Sequence, residues 1–253
     1  RIFKNNLGRF FALTAIIFLG IAFITGLGGI APALETNGNE YYKAANVADI
    51  VLKSKSPTGF SYDELTEITK ELKNDDSVKD VMNLTSVDIE REEGYMRLGY
   101  VPLRDMSVSE ISLADGRFPE NENEVVAEAS TLTLVDRKIG EAIEIAEIGK
   151  TVTICGIVQN PMLFSKESEP ALTGSHGVDE NLKTILYFDS EYAKFETTIT
   201  DFDLPFPIRV AIEATDINIK LDGSEKYDIF SCEYEKFVAG KKDTFLSGAL
   251  ADK

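Results

Sequence analysis

A single histidine, His176, leaves the chain without the ligand sets or acid–base pairs that imidazole chemistry needs. Its neighbours Ser175 and Gly177 supply no metal-ligand spacing, and it reads as an exposed loop residue. Cysteine is almost as scarce, and Cys155 and Cys232 share no spacing logic. Cys155 sits in the apolar run Thr151 to Val158, where a small buried thiol is the default, and Cys232 lies in a polar segment, so both read as free. No disulfide scaffold organises the fold. Clustered Lys and Arg are also missing: 26 basic residues against 43 acidic ones leave a net charge of −17, which excludes a nucleic-acid partner and reads as a solvated acidic surface. No Gly-rich loop carries the Lys and Ser or Thr of a nucleotide site, and Gly26-Leu27-Gly28-Gly29 lies within a hydrophobic stretch. Leu221-Asp222-Gly223-Ser224-Glu225 and Asp201-Phe202-Asp203 lack the alternating acids of a calcium loop. An enzyme therefore has no positive support, and no catalytic residue, cofactor or metal is expected.

What is present begins with Phe10 to Leu34, a stretch without a charged side chain. As a helix rising ~1.5 Å per residue it reaches roughly 37 Å, enough for a ~30 Å hydrocarbon core, and it reads as a membrane segment. Arg1, Lys4 and Arg9 precede it as a basic membrane-interface flank, and all 43 acidic residues follow it. The positive-inside rule then puts the N-terminus in the cytosol and the remainder outside the cell membrane, extracellular or periplasmic. Gly20, Gly26, Gly28 and Gly29 offer a small-residue face, with Gly20, Gly26 and Gly29 as transmembrane packing positions. The competing reading is a cleaved signal peptide, from the small-x-small Ala31-Pro32-Ala33; the long apolar run and the proline count against it. Both readings export the rest.

The exported part has enough apolar and aromatic residues, 43% and 9% overall, for a folded domain. Residues 35–46 read as a stalk and Val47 to Lys53 as a strand. Ser61-Tyr62-Asp63-Glu64 is a capping box, with Phe60 and Leu65 as staple and Leu65, Ile68 and Leu72 on one face, so a helix runs to about Asn74. Val78 to Arg91 and Tyr95 to Pro102 read as a hairpin turning at Glu92-Glu93-Gly94. Beyond turn chemistry at residues 114–119 come a strand at Glu124 to Ala127, a helix from Ser130 to Arg137 and strands at Ile143 to Ala146 and Lys150 to Gln159. A polar loop fills 160–181, a strand covers Thr184 to Phe188, Asp189 opens a short helix to Phe195, and Pro207 to Ala214 is a strand. From Thr215 the chain reads as mostly polar, with a further helix starting near Tyr234.

Asn6-Leu7-Gly8-Arg9-Phe10, Ile16 to Phe23 and Gly26-Leu27 resemble the first membrane helix of FtsX/MacB-like ABC transporter permeases. Four later segments follow in the order of that family's extracytoplasmic domain: Ala114-Asp115-Gly116-Arg117-Phe118-Pro119, Glu124-Val125-Val126, Lys138-Ile139-Gly140-Glu141 and Thr153 to Pro161. The resemblance covers most of residues 5–215. It implies a permease subunit that works as a dimer of permease copies in the lipid bilayer, with a separate cytosolic ABC ATPase driving movements for export or mechanotransmission. The family has four or more membrane helices, and beyond Leu34 no run of apolar residues here is long enough for another, so the rest are expected past Lys253.

The expected fold class is α+β: one N-terminal transmembrane helix followed by an extracytoplasmic domain of two α+β lobes, MacB periplasmic-core-like. The expected parts are a cytosolic flank (1–9), the transmembrane helix (10–34), a stalk (35–46), a first lobe (47–112), a second, β-rich lobe (113–215) and a polar tail (216–253). A signal-anchored or secreted binding module is the alternative function.

Overall fold

The computed structural model describes residues 7–56, 58–92, 94–132, 137–164, 182–199 and 208–247. The chain divides into two compact units, residues 1–41 and 42–253. Helix α1 (Leu7–Ala44) accounts for the described residues of the first, has Pro32 inside it, and continues through the polar sequence Glu35 to Glu40. Here the structure corrects the sequence reading. Among the described residues no helix is long and apolar enough to cross a membrane. The transmembrane helix therefore leaves the fold class. With it go the cytosolic N-terminus, the membrane localisation and the identification as the first part of an FtsX/MacB-like permease.

The second unit is α+β. Its strands are β1 (Ile50–Lys53), β2 (Val78–Arg91), β3 (Gly94–Val101), β4 (Ser112–Gly116), β5 (Glu124–Glu128), β6 (Ala142–Ile145), β7 (Lys150–Gln159), β8 (Leu182–Asp189), β9 (Glu196–Ile199), β10 (Ile208–Ala211) and β11 (Asp216–Leu221). Nine of them form one sheet in the order β1-β11-β2-β3-β8-β5-β7-β4, with β6 also on β7, while β9 and β10 pair separately. The pairs β3–β8 and β5–β7 are parallel and the others antiparallel.

Local chemistry accounts for the elements that were expected. Helix α2 (Tyr62–Lys73) starts at the Ser61 capping box, in which Ser61 N–H donates to Glu64 at 2.9 Å, and its buried Ile68 and Leu72 face the sheet. The β2–β3 hairpin closes at Arg91↔Gly94, where Gly94 has φ of 130°. Helix α3 (Ala129–Leu132) covers the start of the helix expected over Ser130 to Arg137, and residues 133–136 of that stretch lie outside the described ones. The helix expected from Asp189 is a turn instead. The Asp189 carboxylate accepts the Glu191 N–H at 3.1 Å and its carbonyl accepts from Tyr192 and Ala193, so local hydrogen bonds hold the backbone out of a helix.

Period-two alternation sends the two sets of each strand into separate cores. On one face Met96, Leu98, Tyr100, Ile154 and Phe188 pack together. On the opposite face lie Val101, Ile111, Val126, Val158, Ile185 and Tyr187. Helix α2 and helix α4 (Cys232–Ser247) help cover a third cluster, which includes Ile217, Ile219 and Leu221 of β11. Strand β11 falls in the stretch read as a polar tail. Two of its polar members are buried with partners: Lys220 Nζ reaches Asp49 at 3.1 Å and the Val47 carbonyl at 2.9 Å, and Asp216 accepts from the Thr215 hydroxyl at 2.7 Å. Paired this way, a strand with alternating polar residues can sit inside a sheet, between β1 and β2.

Candidate functional site

Strand β7 brings together all four downstream segments that carried the family resemblance. Strand β4 meets it at Gly116↔Gly156, and Arg117 N–H donates to the Cys155 carbonyl at 3.1 Å. Strand β5 runs parallel to it with Glu124↔Thr153. The turn at Lys138 to Glu141 binds its middle: Gly140 N–H donates to the Ile154 carbonyl at 2.8 Å and Ile154 N–H to the Glu141 carbonyl at 2.9 Å. Backbone passes so close to backbone here that a side chain has no room. A Cβ on Gly116, whose φ is +77°, would lie 2.5 Å from the Cys155 carbonyl oxygen, and one on Gly156 would strike the Arg117 carbonyl.

The Arg117 guanidinium then locks onto Glu124 through two bonds of 2.8 and 2.5 Å. That fork, with the Glu120 N–H next, holds the Glu124 carboxyl down at about 2. Beneath the crossing, the Cys155 thiol lies 3.3 Å from the Arg117 and Val125 carbonyls, and burial pushes it up to about 11. A thiol so protonated is a packing group and no nucleophile. Both cysteines are free, Cys155 buried and Cys232 exposed.

A second concentration of polar groups lies on the Tyr187 face of the sheet, under the 102–111 segment and the 3-10 turn Pro161–Phe164. A cavity of about 40 Å³ there is lined by Arg97, Ser109, Asn160, Met162, Tyr187 and Asn218 among others. Arg97 is buried and forks onto Asp88 at 2.7 and 3.0 Å. Its Nη1, like Asn218 Oδ1, has no hydrogen-bond partner among the described residues. Tyr187 lies flat on Gly99, where a Cβ would come within 2.5 Å of the ring, and burial raises its hydroxyl. A water needs about 10–15 Å³ of such space, so the cavity has room for roughly three waters and none for a metabolite.

The residues picked out from sequence do not meet at a site. Arg1 and Lys4 lie outside the described residues, as do His176 and Asp201 to Asp203. Arg9 is exposed on α1, Gly20 and Gly26 have nothing within 4 Å of a Cβ placed on them, and Gly29 belongs to the same helix. Leu221 ends β11, and the residues after it form a turn with Gly223 at φ 81°. The chain has no catalytic or nucleotide-binding motif, and among the described residues no group of three His, Cys, Asp or Glu is placed to hold a metal ion. Sequence reasoning passed over Arg97, Glu128, Asn160 and Asn218. For Arg97 and Glu128 the available signal was a charge inside an otherwise apolar strand.

No family model and no curated protein matches the chain. Among solved structures it is similar to the extracellular domain of the noncanonic ABC-type transporter YknZ from Gram-positive bacteria, at 14% identity and a TM-score of 0.37, over 76% of this chain and 93% of that one. It is also similar to the periplasmic region of MacB from Actinobacillus actinomycetemcomitans, at 12% identity and a TM-score of 0.32, over 77% and 82% of the two chains. TM-scores below 0.5 assign this chain neither a fold family nor a function.

Proposed function

We propose that residues 42–253 are a non-catalytic interaction domain with a transporter-associated role, acting alongside a separate cytosolic ABC ATPase and as a pair of identical copies. One observation carries the reading: four segments spread from Ala114 to Pro161, in the order found in FtsX/MacB-like proteins, are joined on strand β7 by backbone pairing and the Arg117–Glu124 fork. Separate short motifs often match a family by chance. Such matches have no reason to become mutual neighbours, whereas segments that specify one structural unit do. The absence of any catalytic motif fits a domain that receives a partner and performs no chemistry.

The full-length protein, tagged in its native cell and purified without denaturant, is expected to bring down an ABC ATPase in comparable amount, identified by mass spectrometry and by ATP hydrolysis in the eluate. Recovery of the chain without any ABC subunit would overturn the reading and favour a free-standing binding module.

A further inference from the structure

Glu128 is the last residue of β5 and is 1% exposed, on the same face of the sheet as the cavity. Its Oε2 accepts the Asn160 N–H at 2.9 Å, and its Oε1 lies 3.5 Å from the Ser130 hydroxyl. Asn160 passes the connection on. Its Nδ2 donates to the Tyr187 hydroxyl at 2.7 Å and its Oδ1 accepts the Met162 N–H at 2.9 Å, which fixes the start of the Pro161–Phe164 turn. Met162 Sδ then accepts from the Ser109 hydroxyl at 3.1 Å. One carboxyl thus anchors the turn that roofs the cavity.

No cation balances it among the described residues. Strand β7 presents Val158, α3 presents Ser130 and Thr131, the turn presents Asn160, and β8 presents Tyr187, whose hydroxyl is raised by burial and then by the Glu128 charge. On the same face Arg97 directs its Nε and Nη2 to the Asp88 carboxylate. An ionised Glu128 would therefore be a buried charge with hydrogen bonds from Asn160 and from the Ser130 N–H and hydroxyl but no cation among the described residues, which is unfavourable unless water reaches it. Arg97 Nη1 and Asn218 Oδ1, whose residues line the cavity roofed by the turn that Glu128 holds, have no partner among the described residues and would gain from water admitted there.

We propose that Glu128 is a proton-operated latch: with its carboxyl neutral, the Pro161–Phe164 turn seats on the sheet and closes the cavity, and with its carboxylate ionised, the turn lifts and water enters. Burial moves the Glu128 acid up to about 7, which places the change near neutral pH. The latch is independent of the transporter reading, because it needs only this domain.

Hydrogen exchange of the full chain tests it. After correction for the intrinsic pH dependence of exchange, the 160–164 amides are expected to be about tenfold better protected near pH 5.5 than near pH 8.5, with the β2–β3 hairpin unchanged. Glu128→Gln is expected to hold the low-pH protection at both pH values. Equal protection in the unmodified protein, or the same pH difference in Glu128→Gln, would overturn the latch. If Glu128→Gln does not fold, the Glu128 side-chain carboxyl is titrated by carbon NMR in the unmodified protein. A midpoint coinciding with the protection change supports the latch, and a midpoint near the ordinary ~4.3 of a glutamate refutes it.

Discussion

Two glutamates on one sheet respond to pH in opposite senses because one is buried without a cation and the other is gripped by one. Glu128, moved up to about 7, binds its proton more tightly in the folded than in the unfolded chain. Its contribution to stability is fully present below about pH 4.5 and is lost as pH rises through about 7, a change of roughly 3 kcal/mol at most. The urea midpoint is therefore expected to fall between about pH 5 and 8, and Glu128→Gln to flatten that decline. Glu124 lies at about 2, chiefly because of Arg117. Its contribution is present above about pH 4.5 and is lost as pH falls toward 2, and Arg117→Ala is expected to shift acid unfolding to higher pH. Arg97 and Asp88 form a third, buried case. Asp88→Ala strands the guanidinium and is expected to cost about 3–5 kcal/mol in thermal unfolding, more than replacing both partners with apolar residues.

At the scale of elements, β11 decides whether the sheet holds together, since β1 and β2 meet only through it. Ile219 is fully buried in its centre, and Ile219→Ala is expected to destabilise by about 2–5 kcal/mol in chemical denaturation. Elements fixed by neighbours in sequence were legible. The Ser61–Glu64 box gave α2 its start, and the β2–β3 hairpin follows from two strand-like arms about a glycine. Strand β11 was not legible, because Lys220 needs Asp49 and Asn218 lies near Ser109, partners from far earlier in the chain. The polar cavity was hidden for the same reason: Glu128 finds Asn160, and Arg97 finds Asp88, only after strands have paired. The apolar stretch in α1 was legible as helix, but the membrane crossing inferred from its length was not upheld. The segments around β7 could be ordered from sequence, whereas their meeting depends on two glycines that let backbones touch.

At the scale of the molecule, residues 42–253 form a compact unit with three contiguous apolar clusters, and they are expected to unfold in one cooperative transition when prepared alone. The same unit ended at Thr215 is expected to show no such transition by circular dichroism, because it loses both β11 and α4. The order of strands also sets a schedule for synthesis. An N-terminal strand and a long hairpin leave the ribosome early, yet the strand that fits between them is made after every other strand of the sheet. Until then β1 and one edge of β2 have no partner, and such edges recruit other chains. The nascent protein is most exposed to aggregation and to chaperones while residues 92–215 are being made, and the arrival of a single short strand ends that exposure.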